Sequence, residues 1–209
     1  TIQDLLTYLL TLPAVVVGNM CDLCFSLSGF QLAQGGQLPV LAAAMAGKAR
    51  SLALGLAKAR DLMGNDNRVI AIIGDGSLSG GEALEALNYA GEFDGALIIV
   101  VNDNDMSIAE NHGGMYKNLK ELRDSNGACE NNIFKTFGLD YMYVDNGNDI
   151  ATLIDAFESV KDVDHPIVVH VKTQKGKGYA LNFLFENMYK DYSGDGSDVI
   201  ESIPGYRNV

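Results

Sequence analysis

The sequence predicts an α/β protein: a parallel sheet flanked by helices. Val69-Ile-Ala-Ile-Ile73 and Ala96-Leu-Ile-Ile-Val-Val101 are short, unbroken apolar runs, the mark of strands buried on both faces. Helix-forming stretches of ten or more residues alternate with such runs, which is the rhythm of βαβ units. The 209 residues, 47% of them hydrophobic, suffice for one sizeable domain and are few for two. That apolar content, with 23 glycines and only 4 prolines, argues for tight turns in a folded chain and against disorder.

Each element follows in chain order. Residues 1–12 are apolar but carry Asp4, lack a basic leading segment and end at Pro13. They read as an amphipathic helix, too short to span a membrane and unlike a signal peptide. Residues 14–47 have no clean period and read as connecting structure. A helix is expected over 51–63, with Leu52, Leu56, Ala59 and Met63 on one face, stopped by Gly64-Asn-Asp-Asn67. The strand over 69–73 leads through a glycine-rich turn to a helix over 82–92 and a strand over 96–101. Helices over 115–123 and 132–137, a strand over 141–144, a helix over 149–160 and a strand over 166–172 complete the series. The residues after Tyr179 are aromatic, then polar, and receive no element. The expected organisation is therefore an N-terminal segment, 1–47, an α/β domain, 48–180, and a tail, 181–209.

Charge and cysteine content narrow the partners. The net charge is −12, and it is uneven: residues 1–60 sum to +2 and the rest to −14. A nucleic-acid backbone or an anionic membrane would meet mostly repulsion. Cys21, Cys24 and Cys129 are too few for a disulfide framework, so a reducing, cytoplasmic setting is expected. Cys21-Asp-Leu-Cys24 is a single CxxC pair. A structural zinc needs four ligands and no second pair follows, so the two read as ordinary thiols.

The chemistry is expected at strand ends, because ligands of open α/β sheets bind beyond the carboxyl ends of the strands. The first central strand runs into Gly74-Asp75-Gly76-Ser77-Leu78-Ser79-Gly80-Gly81. Glycines allow close backbone approach, and a helix N-terminus offers N–H groups to phosphate. The segment lacks the Gly-Lys-Ser/Thr of a nucleoside-triphosphate loop, and its acid makes sense beside phosphate if a divalent metal lies between. The next strand ends in Asn102-Asp103-Asn104-Asp105-Met106-Ser107-Ile108. Asp75 and Asn104 are 29 residues apart, one crossover helix plus one strand, which puts both at the same sheet edge. Carboxylate, amide oxygen and backbone carbonyl are the hard donors that Mg²⁺ accepts, with diphosphate oxygens completing its octahedron.

This pairing resembles the thiamine-diphosphate motif, Gly-Asp-Gly followed about thirty residues later by Asn. The stretches GDGSLSGGEALEALNYAGEF, LIIVVNDNDMSIAENHGG and HVKTQKGKGYA are similar to those of the 1-deoxy-D-xylulose-5-phosphate synthases of the transketolase superfamily. The resemblance covers about residues 51–180 and implies the thiamine-diphosphate-binding fold. It implies that Asp75, Asn104 and the Met106 carbonyl hold Mg²⁺, and that Gly76 and Ser77 line the diphosphate. It also implies that Ile108 packs near the thiazolium, while Lys175 and Tyr179 close the cofactor site. The implied transferase moves a two-carbon unit from pyruvate to glyceraldehyde 3-phosphate with loss of CO₂, in isoprenoid and thiamine biosynthesis. Cofactor sites of this superfamily form between two domains, so a homodimer or a complementary pyrimidine-binding domain is implied as partner.

The chain also departs from the family. The synthases carry Gly-His-Thr/Ser-Ser ahead of the helix at 51–63, where this chain has Ala44-Met45-Ala46-Gly47-Lys48, and no histidine precedes His112. The family's pyrimidine-binding domain has no counterpart, so turnover is expected to need one from another chain or segment. Two other readings stay open: the N-terminal component of a split transketolase, and a non-catalytic module that keeps the fold. At residue level, Asp75 could be a helix cap, Asn104 an Asx turn, and Lys175 and Lys177 solvated loop charges. Gly194-Asp195-Gly196 has no buried strand before it and reads as a surface turn. His165 reads as structural and His170 as packed or hydrogen-bonded. His112 is the candidate catalytic histidine.

Overall fold

Six strands form a single sheet in a computed structural model of the chain, which describes residues 14–19, 41–44, 48–105 and 111–174. Of two compact units, Thr1–Thr173 and Gln174–Val209, the second is described only at Gln174. The strands are β1 (Ala14–Asn19), β2 (Leu41–Ala44), β3 (Arg68–Gly74), β4 (Leu97–Asp103), β5 (Asp140–Val144) and β6 (Pro166–Lys172). They lie in the order β2-β1-β3-β4-β6-β5, and every pairing is parallel. The helices are α1 (Lys48–Leu62), α2 (Asp75–Leu78), α3 (Gly81–Ala90), α4 (Gly114–Asp124), α5 (Ile133–Thr136) and α6 (Ile150–Val160).

The continuous apolar runs are strands because both faces of the sheet are covered. Val69, Ala71 and Ile73 of β3 and Leu97, Ile99 and Val101 of β4 point into one core, against side chains of α1, α3, α4 and α5. Their alternates, Ile70, Ile98 and Val100, join Val169 and Val171 in a second core against Leu153, Phe157 and Val160 of α6. Side chains of this size contribute roughly 1.5–3 kcal/mol each when fully buried. Direction decides which face a helix covers. The steps β3 to β4 and β4 to β5 cross the sheet one way, and their helices share a face. The step β5 to β6 runs back, so a right-handed crossover puts α6 on the other.

Three expectations are corrected. Residues 14–47 contain two strands, β1 and β2, where connecting structure was expected. Leu41-Ala-Ala-Ala44 has helical propensity, but pairing with β1 overrides it. On α1 the expected apolar face is the wrong one. Ala53, Leu54, Ala57 and Arg60 are buried, while Leu52 and Met63 are 42% and 73% exposed. Small side chains let α1 approach its neighbours closely, and Arg60 is satisfied by donating to the Ala96 carbonyl at 2.8 Å. Finally, the glycine-rich turn after β3 holds a one-turn helix, α2, before α3 begins at Gly81. Among the described residues no helix is long and apolar enough to cross a membrane. The expected helix at 1–12, Cys21 and Cys24 lie outside the described residues.

Candidate active site

The ends of β3 and β4 meet in register. Gly74 pairs with Asn102, so Asp75 leaves one strand beside the Asn102–Asp105 end of the other. The 29-residue spacing thus brings Asp75 and Asn104 to one edge, as the spacing predicts. Asp75 opens α2 and is 2% exposed. Its Oδ2 accepts from Asn111 Nδ2 at 2.6 Å. Burial, and secondarily the charge of Asp103, push its carboxyl up to about 7, against the opposing hydrogen bonds from Gly76 and Asn111. Gly76 and Ser77 follow within α2, half-buried. The Tyr116 hydroxyl donates to Ser79 Oγ at 2.9 Å and lies 3.4 Å from the Gly76 carbonyl, tying α4 to this turn.

Behind Asp75 lies a buried polar network that the motifs did not reveal. Strand alternation puts Asp103 on the core face with Ile99 and Val101, and it is fully buried. Its Oδ2 accepts from Arg123 Nη1 at 2.6 Å and from His170 Nε2 at 2.8 Å. Burial opposes its charge, yet His170 and Arg123 together hold the carboxyl below the usual carboxylate range. Burial also opposes the Arg123 charge, and Asp103 and Asp105 outweigh that, keeping the guanidinium firmly protonated. Tyr141 lies 2.8 Å from His170 Nδ1. Burial pushes the Tyr141 phenol well above its ordinary value, and its hydroxyl shares a hydrogen bond with Nδ1 while Nε2 faces Asp103. His170 is thus hydrogen-bonded in the core, as expected.

The remaining candidates are distributed as follows. His112 is exposed in the loop before α4, next to Asn111, which does reach Asp75. Asn104 is half-buried at the β4 end. His165 is about half-exposed and bridges Asp164 and Asp140 at 2.7 Å each, a structural position. Met106, Ile108, Lys175, Tyr179 and the second Gly-Asp-Gly, at 194–196, lie outside the described residues. Asn111, Asp103 and Arg123 escaped the motif reading. For Asp103 a signal existed, since an acid in phase with Leu97, Ile99 and Val101 must be buried and must find a cation.

The donor chemistry fits a divalent cation. A carboxyl whose ionisation is resisted by burial and by a neighbouring carboxylate gains most from an added positive charge, and the Asn104 amide at the end of the neighbouring strand is a hard oxygen donor on the same sheet edge.

The chain matches the family model described as 1-deoxy-D-xylulose-5-phosphate synthase over residues 24–130 and 125–173. It is 36% identical over 190 residues to 1-deoxy-D-xylulose-5-phosphate synthase 2 of Geobacter sulfurreducens, covering 74% of this chain and 30% of that protein. It is 39% identical over 166 residues to 1-deoxy-D-xylulose-5-phosphate synthase of Desulforudis audaxviator, covering 62% and 26%. In both comparisons the match spans under a third of the relative's length. The fold is shared with a solved structure described as a thiamin diphosphate-dependent enzyme from Mycobacterium smegmatis. The TM-score is 0.55 at 21% identity, over 77% of this chain and 28% of that one. With the family model matched across most of the sheet, the chain belongs to the 1-deoxy-D-xylulose-5-phosphate synthase family.

Proposed function

We propose that this chain supplies the Mg²⁺- and diphosphate-binding part of a thiamine-diphosphate-dependent 1-deoxy-D-xylulose-5-phosphate synthase. The carrying observation is the register of β3 and β4, which sets buried Asp75 beside the Asn104 end of the neighbouring strand. In this reading Asp75, the Asn104 amide and the Met106 carbonyl hold Mg²⁺, and Gly76 and Ser77 approach the diphosphate closely. Ile108 packs near the thiazolium, Lys175 balances diphosphate charge, and Tyr179 helps to close the site. His112, which follows Asn111 in the loop before α4, is the candidate catalytic histidine in this reading.

Bound thiamine diphosphate supplies the electron-accepting chemistry by which pyruvate loses carbon dioxide and passes its two-carbon unit to glyceraldehyde 3-phosphate. The chain's own residues bind and orient the cofactor. Contacts to its aminopyrimidine come from a complementary domain or from a second copy in a homodimer, in a reducing, cytoplasmic setting.

Titration calorimetry of thiamine diphosphate into the purified chain, with and without Mg²⁺, tests the anchor. Saturable binding is expected only with Mg²⁺, and it is expected to vanish in Asp75→Ala. A folded wild-type chain that gives no saturable heat with both components present would overturn the reading.

A further inference from the structure

The polar network behind Asp75 has a geometry that ion pairing for its own sake does not require. Arg123, near the end of α4, is 10% exposed and uses both terminal nitrogens. Nη1 donates to Asp103 Oδ2 at 2.6 Å and Nη2 to Asp105 Oδ1 at 2.5 Å. One planar guanidinium therefore bonds the residue on each side of Asn104. The turn between them is closed again from within, since the Asp105 amide donates to Asp103 Oδ1 at 2.9 Å. Asp105 has φ +62°, in the left-handed region that non-glycine residues rarely hold without local compensation.

The flanks are tied as well. Asn102 Oδ1 accepts from the Thr173 hydroxyl at 2.7 Å, and the Asp103 carbonyl accepts from the Thr173 amide at 2.8 Å. The Asp105 side chain is 65% exposed, so its arm of the clamp adds little to global stability, as exposed ion pairs generally do. Its consequence is local: it selects one conformation of the turn. A lysine could neutralise Asp103, but its single ammonium does not reproduce a rigid fork that spans two carboxylates.

We infer that Arg123 is a positioning residue, whose fork across Asp103 and Asp105 holds the β4-end turn in the conformation that sets Asn104 beside Asp75. The purpose assigned to this clamp rests on the proposed function, whereas its effect on the turn can be read in the free chain. Residues that orient metal ligands without touching the metal typically change affinity by about 10–100-fold when altered.

The test uses Arg123→Lys, which retains a cation for buried Asp103, and Asp105→Asn, which removes the charge of the exposed arm while still suiting the left-handed φ at 105. Backbone amide exchange is followed in the full chain, and Mg²⁺-dependent thiamine diphosphate binding is measured by calorimetry. Both variants are expected to melt close to wild type. Exchange at the Asp105 amide should rise about tenfold or more while the β3 and central β4 amides keep their protection. Affinity for thiamine diphosphate with Mg²⁺ should fall about tenfold. Unchanged Asp105 exchange in both variants overturns the clamp. Faster exchange with undiminished cofactor affinity overturns its positioning role. A wild-type chain that binds no cofactor overturns the proposed function and, with it, the purpose assigned to Arg123, while amide exchange still decides whether the fork holds the turn.

Discussion

Asp75 is 2% exposed, accepts a hydrogen bond from Asn111 and faces the ionised carboxylate of Asp103. Its carboxyl is pushed from 3.8 to about 7, so the folded chain retains a proton there that the unfolded chain has already lost. Stability contributed at this position is therefore highest below pH 3.8 and declines as pH rises toward about 7. Asp75→Asn keeps an acceptor for Asn111 and removes the charge. The variant should be more stable than wild type at pH 8 by about 2–4 kcal/mol, with the advantage shrinking towards pH 4, measured by urea denaturation without Mg²⁺. A pH-independent difference would contradict this account. Under the proposed function the same substitution should abolish Mg²⁺-dependent cofactor binding, because it removes the carboxylate assigned to the cation.

Among the elements, junctions matter more than helix propensity. The α3 helix ends at Gly91, where an added Cβ would lie 1.8 Å from the Phe137 carbonyl oxygen. Phe137 directly follows α5, so this contact seats α5 and the start of β5 against α3. Gly91→Ala should destabilise the chain by about 2 kcal/mol or more, read as a lower urea midpoint with an unchanged slope. An unshifted midpoint would show that the α5 segment yields. The helix expected over 149–160 is α6, and its start was legible to within one residue: Asp149 is the cap just ahead of it, its Oδ2 accepting from the Thr152 amide at 2.9 Å. The buried face of α1 was not. Alanines and larger apolar residues surround that helix, and periodicity alone favours the bulky stripe. Close packing favoured Ala53 and Ala57.

For the whole molecule, the −12 net charge is the dominant long-range term, and it acts against the compact state by self-repulsion. Raising salt from about 0.01 to about 0.1 M shortens the screening length from about 30 to about 10 Å. The melting temperature of the ligand-free chain should rise by a few degrees over that interval in scanning calorimetry. A fall would mean that specific ion pairs such as Arg123–Asp103 outweigh the general repulsion. At this scale the sheet order also brings the candidate residues together. Adjacent parallel β3 and β4 deliver Asp75 and Asn104 to one edge, and the segment from Asn111 to Arg123 touches both strand ends.

By itself the sequence determined the α/β class, the central strands and the sheet edge at which Asp75 and Asn104 meet. These follow from local information: unbroken apolar runs, glycine punctuation and a spacing of one crossover. The pairing of Leu41-Ala-Ala-Ala44 with β1, the buried face of α1 and the clustering of Asn111, Arg123 and His170 about Asp75 and Asp103 were decided only in three dimensions. Asp103 and His170 are 67 positions apart, and no local pattern encodes which buried polar groups will find each other. Burial sets that choice, because each such group must be satisfied by whatever donor or acceptor the packed layers bring within reach.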